Sequence, residues 1–302
     1  MRNKRFFPGA WHHVYSITQD GGVLFYRLSD RLCFYTIVSV CARRYNIIVL
    51  GLSLMFTHFH MMLRAMDLAH LRAFIGTVLS IFTRVINADR KLSGTLFKRP
   101  FGRAMRVSEK EKRSSIIYLL NNPVEKHLVS KAAEDRWTFL GHCGEAYPFT
   151  PKLVKRNVSY RLRCACDYVD GECAAGRYLT PAGLRHLFNP LTREEQEQLC
   201  DYIINKYKFI AYDEVTDLFG GEGKLKLATE ASAGKEFEVG EVFDASSDVP
   251  YKEMAALAAR KGLFDDWKLL HPDPGQREKL FQLFRHSTSA NELQIRKFLH
   301  WF

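Results

Sequence analysis

Two histidines one residue apart, His58 and His60, stand in a segment that reads as a β-strand, HFHMMLR. Successive side chains of a strand point to opposite faces, so the two imidazoles face one side and the apolar residues Phe59, Met61 and Leu63 face the other. Two imidazoles held side by side on a rigid strand are a ready pair of ligands for a metal ion. The same spacing also arises by chance, so alone it leaves a structural role open.

A tyrosine and an asparagine four residues apart form the second pattern. Tyr118 and Asn122 stand in the helical segment SIIYLLNNPVE, where a spacing of four places both on one helical face. Most tyrosines at such positions belong to a core, and an asparagine before a proline usually marks the end of a helix. The two residues therefore indicate a shared face and do not by themselves require a function.

Six basic residues surround the last predicted strand of the first domain and the start of the helix that carries Tyr118. They are Arg99, Arg103, Arg106, Lys110, Lys112 and Arg113. Contacts from such side chains to DNA phosphates are independent of base sequence and weaken with salt. Cations at these positions also occur on solvated helix faces, and that alternative stays open for each residue separately.

The net charge of the chain is +11, and the positive charge is concentrated in the first half. Residues 1–142 hold 22 Lys and Arg against 9 Asp and Glu, whereas residues 143–302 hold 22 against 24. A basic domain indicates a polyanionic partner, most often nucleic acid. A solvated basic surface gives the same count, so charge does not decide between the two.

Length and composition indicate a globular protein. The chain has 302 residues, 47% of them hydrophobic and 25% charged, which argues against disorder, and about 100–200 residues per domain predicts two domains. No stretch reaches the roughly 20 uninterrupted apolar residues of a membrane span, and the N-terminus lacks the apolar run of a secretory signal. Seven cysteines without a disulfide framework favour reduced thiols in a cytosolic protein.

The predicted elements over residues 12–123 have the order β-α-β-β-α-β-α. Strands are predicted at 12–18, 45–55 and 58–64 and, bent or at a sheet edge, at 95–107; helices are predicted at 30–44 and 68–88. Ser29 is expected to cap the first helix. Ser108 and Glu111 form a capping box that opens the helix with Tyr118, and Pro123 is expected to end it. This order predicts an α+β fold: a ferredoxin-like split βαβ sheet with an added tyrosine-bearing helix.

The rest of the chain is predicted to be mostly helical. Residues 143–212 form a helical region in which Thr192 and Glu195 cap one helix. The acidic, glycine-rich residues 213–248 are interpreted as a linker or a poorly ordered excursion. Three short helices in 249–302 are compatible with a helix-turn-helix module that reads duplex DNA, and also with a simple packing domain.

Three segments occur in an order and spacing that resemble one known family: LSLMFTHFHMMLRA, GTLFKRPFGRAMRV and SIIYLLNNPVEKHLV. They resemble the HUH single-tyrosine transposases, and among these the REP-associated tyrosine transposase group of the insertion-sequence-200-like superfamily. The resemblance spans about residues 10–142. The chain departs from the family in reading Met55-Phe56-Thr57 where Met-Pro-Asn is usual before the first histidine, and again around residues 121–127, without losing a catalytic group.

The resemblance implies a metal-dependent DNA transposase, an endonuclease and strand transferase that acts on single-stranded or hairpin DNA. Tyr118 would be the nucleophile that forms a 5′-phosphotyrosine. His58 and His60 would hold Mg²⁺ or Mn²⁺, and Asn122 would supply a third, oxygen ligand. Residues 1–142 would be the HUH catalytic domain, and residues 143–302 would contribute recognition or assembly rather than chemistry.

The resemblance also implies a cytoplasmic, nucleoid-associated bacterial protein with no membrane partner. It leaves open a homodimer in which the tyrosine helix is swapped between subunits. A replication initiator or relaxase-type nicking enzyme uses the same HUH chemistry but usually carries a helicase or primase extension. A non-catalytic DNA-binding descendant would lose the metal ligands or the tyrosine, and the presence of both groups favours an active enzyme.

Overall fold

One antiparallel sheet of four strands forms the centre of the molecule. The computed structural model describes residues 6–232 and 247–302. The strands are β1 (Trp11–Ile17), β2 (Ile48–Leu54), β3 (His58–Arg64) and β4 (Gly102–Arg106). The first three helices are α1 (Leu28–Tyr45), α2 (Leu68–Arg90) and α3 (Glu109–Glu125). The α+β class and the order β-α-β-β-α-β-α are those that the sequence predicts.

The strand order is β2-β3-β1-β4. Helix α1 connects β1 to β2, with β3 between these two strands in the sheet, and α2 connects β3 to β4, with β1 between them. All three neighbouring pairs are antiparallel. This is the order of a split βαβ sheet. In the register, His60 lies opposite Tyr15 of β1 and Ser53 of β2, so the histidine strand stands near the middle of the sheet. The predicted edge strand is confirmed over residues 102–106.

Helices α1 and α2 cover one face of the sheet. The β3 side chains that pack into this core are the predicted apolar set: Phe59, Met61 and Leu63. Helix α2 adds one buried stripe: Leu71, Phe74, Ile75, Val78, Leu79, Phe82 and Ile86. Among the described residues, α2 is the one helix long and apolar enough to cross a membrane, and a core helix passes the same test of length and hydropathy.

Helix α3 covers the opposite face. The hydroxyl of Ser108 accepts a hydrogen bond from the N–H of Glu111, whose carboxylate accepts one from the N–H of Ser108, so the predicted capping box is confirmed. The apolar contacts between α3 and the sheet involve Ile116, Leu119, Leu120, Met62 and Trp11. Helix α3 packs on the sheet of its own chain.

Helix α3 does not end at Pro123, and that prediction is wrong. Proline has no N–H to donate to the carbonyl oxygen of Leu119, four residues earlier. The side-chain nitrogen of Asn122 donates instead to this oxygen, at 3.4 Å, and to the carbonyl oxygen of Tyr118, at 3.0 Å. The asparagine side chain thus supplies the donor that the proline lacks, and the helix continues to Glu125.

The start of α1 also differs from the prediction. The cap residue is Arg27 rather than Ser29, and the carboxylate of Asp30 accepts from the Arg27 N–H at 2.9 Å. Asp30 is paired with Arg90 of α2 at 2.9 Å, and both side chains are fully buried. The carboxylate that satisfies the first turn of α1 is therefore held in place by the contact between α1 and α2.

Within the described part of the chain, eight further α-helices follow α3. They are α4 (Tyr160–Ala174), α5 (Pro181–Phe188), α6 (Arg193–Lys206), α7 (Tyr212–Phe219), α8 (Glu222–Ala231), α9 (Val249–Arg260), α10 (Pro274–Ser287) and α11 (Glu292–Leu299). The capping box predicted at Thr192 and Glu195 opens α6. The second half of the described chain is therefore helical, as the sequence predicts.

Helix α1 is buried on nearly all sides, because α5 and α6 cover the side that faces away from the sheet. The hydroxyl of Tyr35 donates to the carbonyl oxygen of Ile204 at 3.0 Å, and that of Ser39 donates to the carbonyl oxygen of Tyr207 at 2.7 Å. One apolar core runs from the sheet into these helices, across the predicted domain boundary at residue 142.

Helices α7 and α8 occupy most of residues 213–231, where the sequence predicts a linker or a poorly ordered excursion, so that prediction is wrong over this range. Val215 and Leu225 are buried in the cluster between α3 and the sheet, and the side-chain nitrogen of Asn121 donates to the carbonyl oxygen of Thr229 at 3.0 Å. The few apolar residues of an acidic segment thus dock two short helices on α3. Residues 233–246 of the predicted linker lie outside the described residues.

Candidate functional site

The imidazoles of His58 and His60 lie on the face of the sheet that α3 covers, with their ring centroids 5.0 Å apart. The ring of Tyr118 on α3 meets the ring of His60 edge-on, at a centroid distance of 5.5 Å. Strand alternation and helix packing therefore bring the tyrosine and both histidines together within one chain.

Each imidazole has a hydrogen-bond partner at its Nδ1 atom. The hydroxyl oxygen of Thr57 lies 3.1 Å from Nδ1 of His58, and Nε2 of His13 lies 3.1 Å from Nδ1 of His60. In the tautomer in which His60 donates to His13, Nε2 of His60 carries the lone pair that a metal ion needs. Hydrogen bonds of this kind orient metal-binding histidines in proteins.

Burial keeps the central imidazoles neutral. It lowers the pKa of His60 well below its ordinary value, and the neighbouring His58 and His13 lower it further. Burial, with the Arg106 guanidinium as the second cause, lowers the pKa of His13 to about 3. Both rings are therefore uncharged at neutral pH, and the neutral imidazole is the form that binds a metal ion.

Strand β1 contributes two residues that the sequence analysis did not assign to the site. The ring centroid of His13 lies 5.8 Å from that of Tyr118, and the centroid of Tyr15 lies 6.2 Å from that of His60. Alternation along β1 puts both on the face of the histidine pair once β1 is placed beside β3. That pairing joins segments far apart in the sequence, so neither segment alone indicates it.

Gly102 of β4 makes room for Tyr15. The two residues are opposite each other in the register, and a Cβ atom at position 102 would overlap the tyrosine ring. We expect Gly102→Ala to displace the ring and to lower the free energy of unfolding by about 1–3 kcal/mol, as overpacking does. Urea unfolding measures the change.

Gly76→Ala is the matched control for Gly102→Ala. Gly76 lies within α2, and no atom lies within 4 Å of a Cβ built there. Alanine is favoured over glycine in a helix by about 1 kcal/mol, so this variant should be more stable than the wild type. A Gly102→Ala variant as stable as the wild type would contradict the close fit of Tyr15 over Gly102.

Helix α3 carries Tyr118, Asn122 and Glu125 on one stripe, and all three line the same cavity. The side-chain nitrogen of Asn122 donates to the carbonyl oxygens of Tyr118 and Leu119. These bonds assign the other atom of the side-chain amide as its oxygen. Glu125 is not predicted for the site from the sequence, because Pro123 is expected to end the helix before it. The two further residues of α3 are what bring this carboxylate onto the stripe.

A cavity of about 140 Å³ joins these groups. Its lining includes His58, His60 and the three α3 residues of the stripe. It also includes three residues that come much later in the sequence, Asp248, Tyr251 and Lys297. Asp248, Tyr251 and Lys297 are not predicted for the site from the sequence. They are far from Tyr118 in the sequence, and no local motif marks them.

The basic residues predicted to contact DNA do not share one surface. Arg106 lies opposite Trp11 in the register, on the face that α3 covers. Arg103 lies opposite Val14, whose side chain packs into the core on the other face, and its Nη1 is 3.2 Å from Nδ1 of His12. Only one of these two strand arginines therefore lies on the face of the histidine pair.

Of the other four basic residues, Lys110, Lys112 and Arg113 lie in the first turns of α3, and Arg99 precedes β4. Arg113 donates to Glu109 at 2.9 Å and to a main-chain carbonyl at 2.9 Å. The ammonium of Lys112 lies 5.4 Å from the ring centroid of Trp11. The remaining two side chains, Arg99 and Lys110, are exposed.

The donors in the cavity suit a divalent cation. Imidazole nitrogen and amide oxygen are both ligands that Mn²⁺ accepts, and the amide and carboxylate oxygens suit Mg²⁺. Within residues 6–232 and 247–302, no group of three or more His, Cys, Asp or Glu residues is placed to hold a metal ion. Metal binding by His58, His60 and Asn122 therefore depends on the amide as the third ligand and stays a prediction.

Comparisons with known proteins add little. No family model matches the chain, and no curated protein matches it. The chain is similar to the solved structure of a REP-associated tyrosine transposase bound to a REP hairpin, with 14% sequence identity and a TM-score of 0.38. The match covers 48% of this chain and 86% of that one. At this TM-score the likeness carries no argument about fold or activity, so the case for a function rests on the residues themselves.

Proposed function

We propose that this protein cleaves and rejoins single-stranded or hairpin DNA through a covalent bond to Tyr118, as a metal-dependent transposase of the HUH type. The observation that carries the proposal is the edge-on contact between Tyr118 of α3 and His60 of β3, with His58 and Asn122 lining the same cavity. A nucleophile and metal ligands from separate elements meet at one place, in the combination that the three motifs imply.

The phenolic oxygen of Tyr118 attacks the phosphorus of a phosphodiester. A bond from phosphorus to this oxygen forms as the bond to the 3′ oxygen breaks, and the phenolic proton ends on the 3′ oxygen as a free 3′-OH. The protein then holds the downstream fragment as a 5′-phosphotyrosine. A 3′-OH of the same or another strand can reverse the step and rejoin the DNA, because the phosphodiester energy is kept in the tyrosine bond.

His58, His60 and Asn122 are the residues that would hold the divalent cation. Held by these residues, such a cation would supply Lewis-acid stabilisation of the charge on the phosphoryl oxygens. The partners at Nδ1 of each histidine, Thr57 and His13, hold the rings in place. Mg²⁺ or Mn²⁺ is the cation proposed.

The basic first half of the chain supports DNA as the partner. Arg106 lies on the face of the cavity, and the exposed Arg99 and Lys110 flank it in sequence, so these three are proposed to contact phosphates. Arg103 lies on the other face of the sheet, and Arg113 is bonded to Glu109.

A denaturing gel tests the proposed function. The protein is incubated with hairpin DNA that carries a label at its 5′ or its 3′ end, in Mg²⁺ or Mn²⁺. We expect the 3′ label to move with the protein and the 5′ label to appear in a shortened free strand, because the phosphotyrosine holds the downstream fragment. DNA binding without a covalent band in either metal would contradict the proposal and favour a non-catalytic DNA-binding protein.

Asn122→Ala is expected to raise the metal concentration for half-maximal cleavage by about tenfold or more, because a ligand is lost. Mn²⁺ should rescue the variant better than Mg²⁺, since Mn²⁺ tolerates nitrogen ligands more readily. The variant also leaves the carbonyl oxygens of Tyr118 and Leu119 without the amide donor, so the free energy of unfolding should fall by about 1–3 kcal/mol. Metal titrations of the cleavage rate and urea unfolding measure the two effects.

A second substitution separates these two roles of Asn122. Pro123→Ala returns a backbone N–H to the position that faces the Leu119 carbonyl oxygen. The double variant should therefore regain stability and keep the raised metal requirement, whereas Pro123→Ala alone should keep the metal dependence of the wild type. Superimposable metal curves for the wild type and Asn122→Ala would refute the ligand assignment.

A further inference from the structure

The cavity beside Tyr118 is closed on one side by the C-terminal helices. Lys297 of α11, Tyr251 of α9 and Asp248, which precedes α9, line it together with the two histidines. The end of the chain therefore stands at the place where the proposed chemistry occurs.

One main-chain hydrogen bond and two bonds between a side chain and the main chain hold α11 on the segment that follows β1. The N–H of Val23 donates to the carbonyl oxygen of Lys297 at 3.0 Å, and the carbonyl oxygen of Val23 lies 2.6 Å from Nε2 of His300. The hydroxyl of Tyr26 donates to the carbonyl oxygen of Phe298. The backbone at Lys297 is thus fixed from both sides, which leaves its side chain to reach the cavity.

Two glycines lie at this contact, and Gly22 allows the close approach of His300. A Cβ atom at Gly22 would stand 3.1 Å from the ring of His300, and one at Gly21 would stand 3.4 Å from Cε of Lys297. Gly21 also has a backbone φ of +71°, a conformation that residues with a side chain rarely adopt. The apolar cluster of α9–α11 includes Val23, Tyr26 and Phe56, so the contact is a packed one.

The charges that line the cavity come from two carboxylates, Glu125 and Asp248, and two lysines, Lys126 and Lys297. Lys297 forms no salt bridge with any carboxylate of residues 6–232 and 247–302. Its ammonium is a compact charge with three donors, which suits a phosphate oxygen.

We infer that Lys297 binds a phosphate of the DNA strand in the tyrosine cavity, so that helix α11 is part of the active site. The inference rests on the proposed function, since it assigns one contact of the same DNA. It also places a residue of 247–302 in contact with the DNA inside the tyrosine cavity, whereas the sequence predicts only recognition or assembly for this part of the chain.

Binding of a fluorescent single-stranded oligonucleotide tests the inference. The full chain carries Tyr118→Phe, and EDTA is present, so neither cleavage nor metal contributes. Lys297→Gln keeps much of the stem that lies along Gly21 and removes the charge. We expect weaker binding and a slope of log affinity against log salt that is smaller in magnitude by about 0.7, the value for one phosphate contact on a single strand.

Two controls accompany this variant. Lys297→Arg keeps the charge and should keep the slope. Lys279→Ala removes an exposed lysine of α10 that does not line the cavity, and it should also keep the slope. Thermal melting is measured for each variant; if Lys297→Gln unfolds, Lys297→Met, which keeps an apolar stem, replaces it in the same comparison.

An unchanged affinity and slope in the neutral Lys297 variant would overturn the inference. An equal loss in Lys279→Ala would also overturn it, because any lysine of these helices would then have the same effect. The covalent-band assay on the wild type reports on the proposed function separately. A covalent band with an unchanged slope refutes only the role of Lys297, whereas the absence of a band refutes the proposed function.

Discussion

Tyr118→Phe is expected to abolish the covalent protein–DNA band and to lower the cleavage rate by at least about a thousandfold, as the loss of an attacking group does in other enzymes. The substitution removes the proposed nucleophilic oxygen and keeps the ring that meets His60 and His13 edge-on. Single-stranded DNA binding and stability should therefore change little. The denaturing gel measures the first effect, and fluorescence anisotropy with thermal melting measures the second.

Tyr160→Phe is the matched control for this variant. Tyr160 begins α4 and is 72% exposed, so the same chemical change there should leave cleavage unaltered. A covalent band that persists in Tyr118→Phe would show that another residue is the nucleophile.

His58→Ala and His60→Ala should each lower cleavage by about a thousandfold or more, because each removes a proposed ligand of the cation that would stabilise the phosphoryl charge. DNA binding should remain largely intact, since the affinity comes mainly from neutralised phosphates. Cleavage rates at saturating Mn²⁺ and anisotropy titrations of single-stranded DNA measure the two quantities.

The control for the histidine variants is His286→Ala, an exposed position of α10 where the same side chain is removed away from the cavity. His60 is fully buried, so urea unfolding is read for every variant. If binding and cleavage fall together, with a lower free energy of unfolding, the pair has a structural role and the metal assignment is refuted.

The part of the site that could be predicted from the sequence is the part encoded in short segments. Alternation in HFHMMLR placed both histidines on one face, and the structure has His58 and His60 facing α3 while Phe59 faces α2. The capping box at Ser108 located the start of the tyrosine helix to the residue. Both patterns depend on near neighbours in the chain, so a single sequence contains them.

Features that depend on packing between distant segments could not be predicted. The hydroxyls of Tyr35 and Ser39 in α1 donate to carbonyl oxygens of α6 and of the residue that follows it, and nothing in the α1 segment indicates these partners. Arg103 and Arg106 are three residues apart, so alternation along a strand puts them on opposite faces, and only the register with β1 shows which of the two shares the face of the histidine pair. Likewise, no local motif around Lys297 indicates that this residue lines the cavity with the histidines.

The error at Pro123 has a different cause, because the compensating group is adjacent to the proline. The general rule that a proline ends a helix assumes that the freed carbonyl stays without a donor. Here the side chain of Asn122 fills that place, and the helix extends to Glu125. A local rule failed because a side chain took over a main-chain role.

The contact between Val23 and His300 has a consequence for the order in which this protein is assembled. It joins residues 277 apart, whereas the bond between His13 and His60 joins residues 47 apart. Closing the longer loop costs about 1.6 kcal/mol more in chain entropy. Synthesis proceeds from the N-terminus, and early segments fold first. We expect a nascent chain to display Tyr118 beside its histidines with one wall of the cavity missing, until α11 has been synthesised and has left the ribosome.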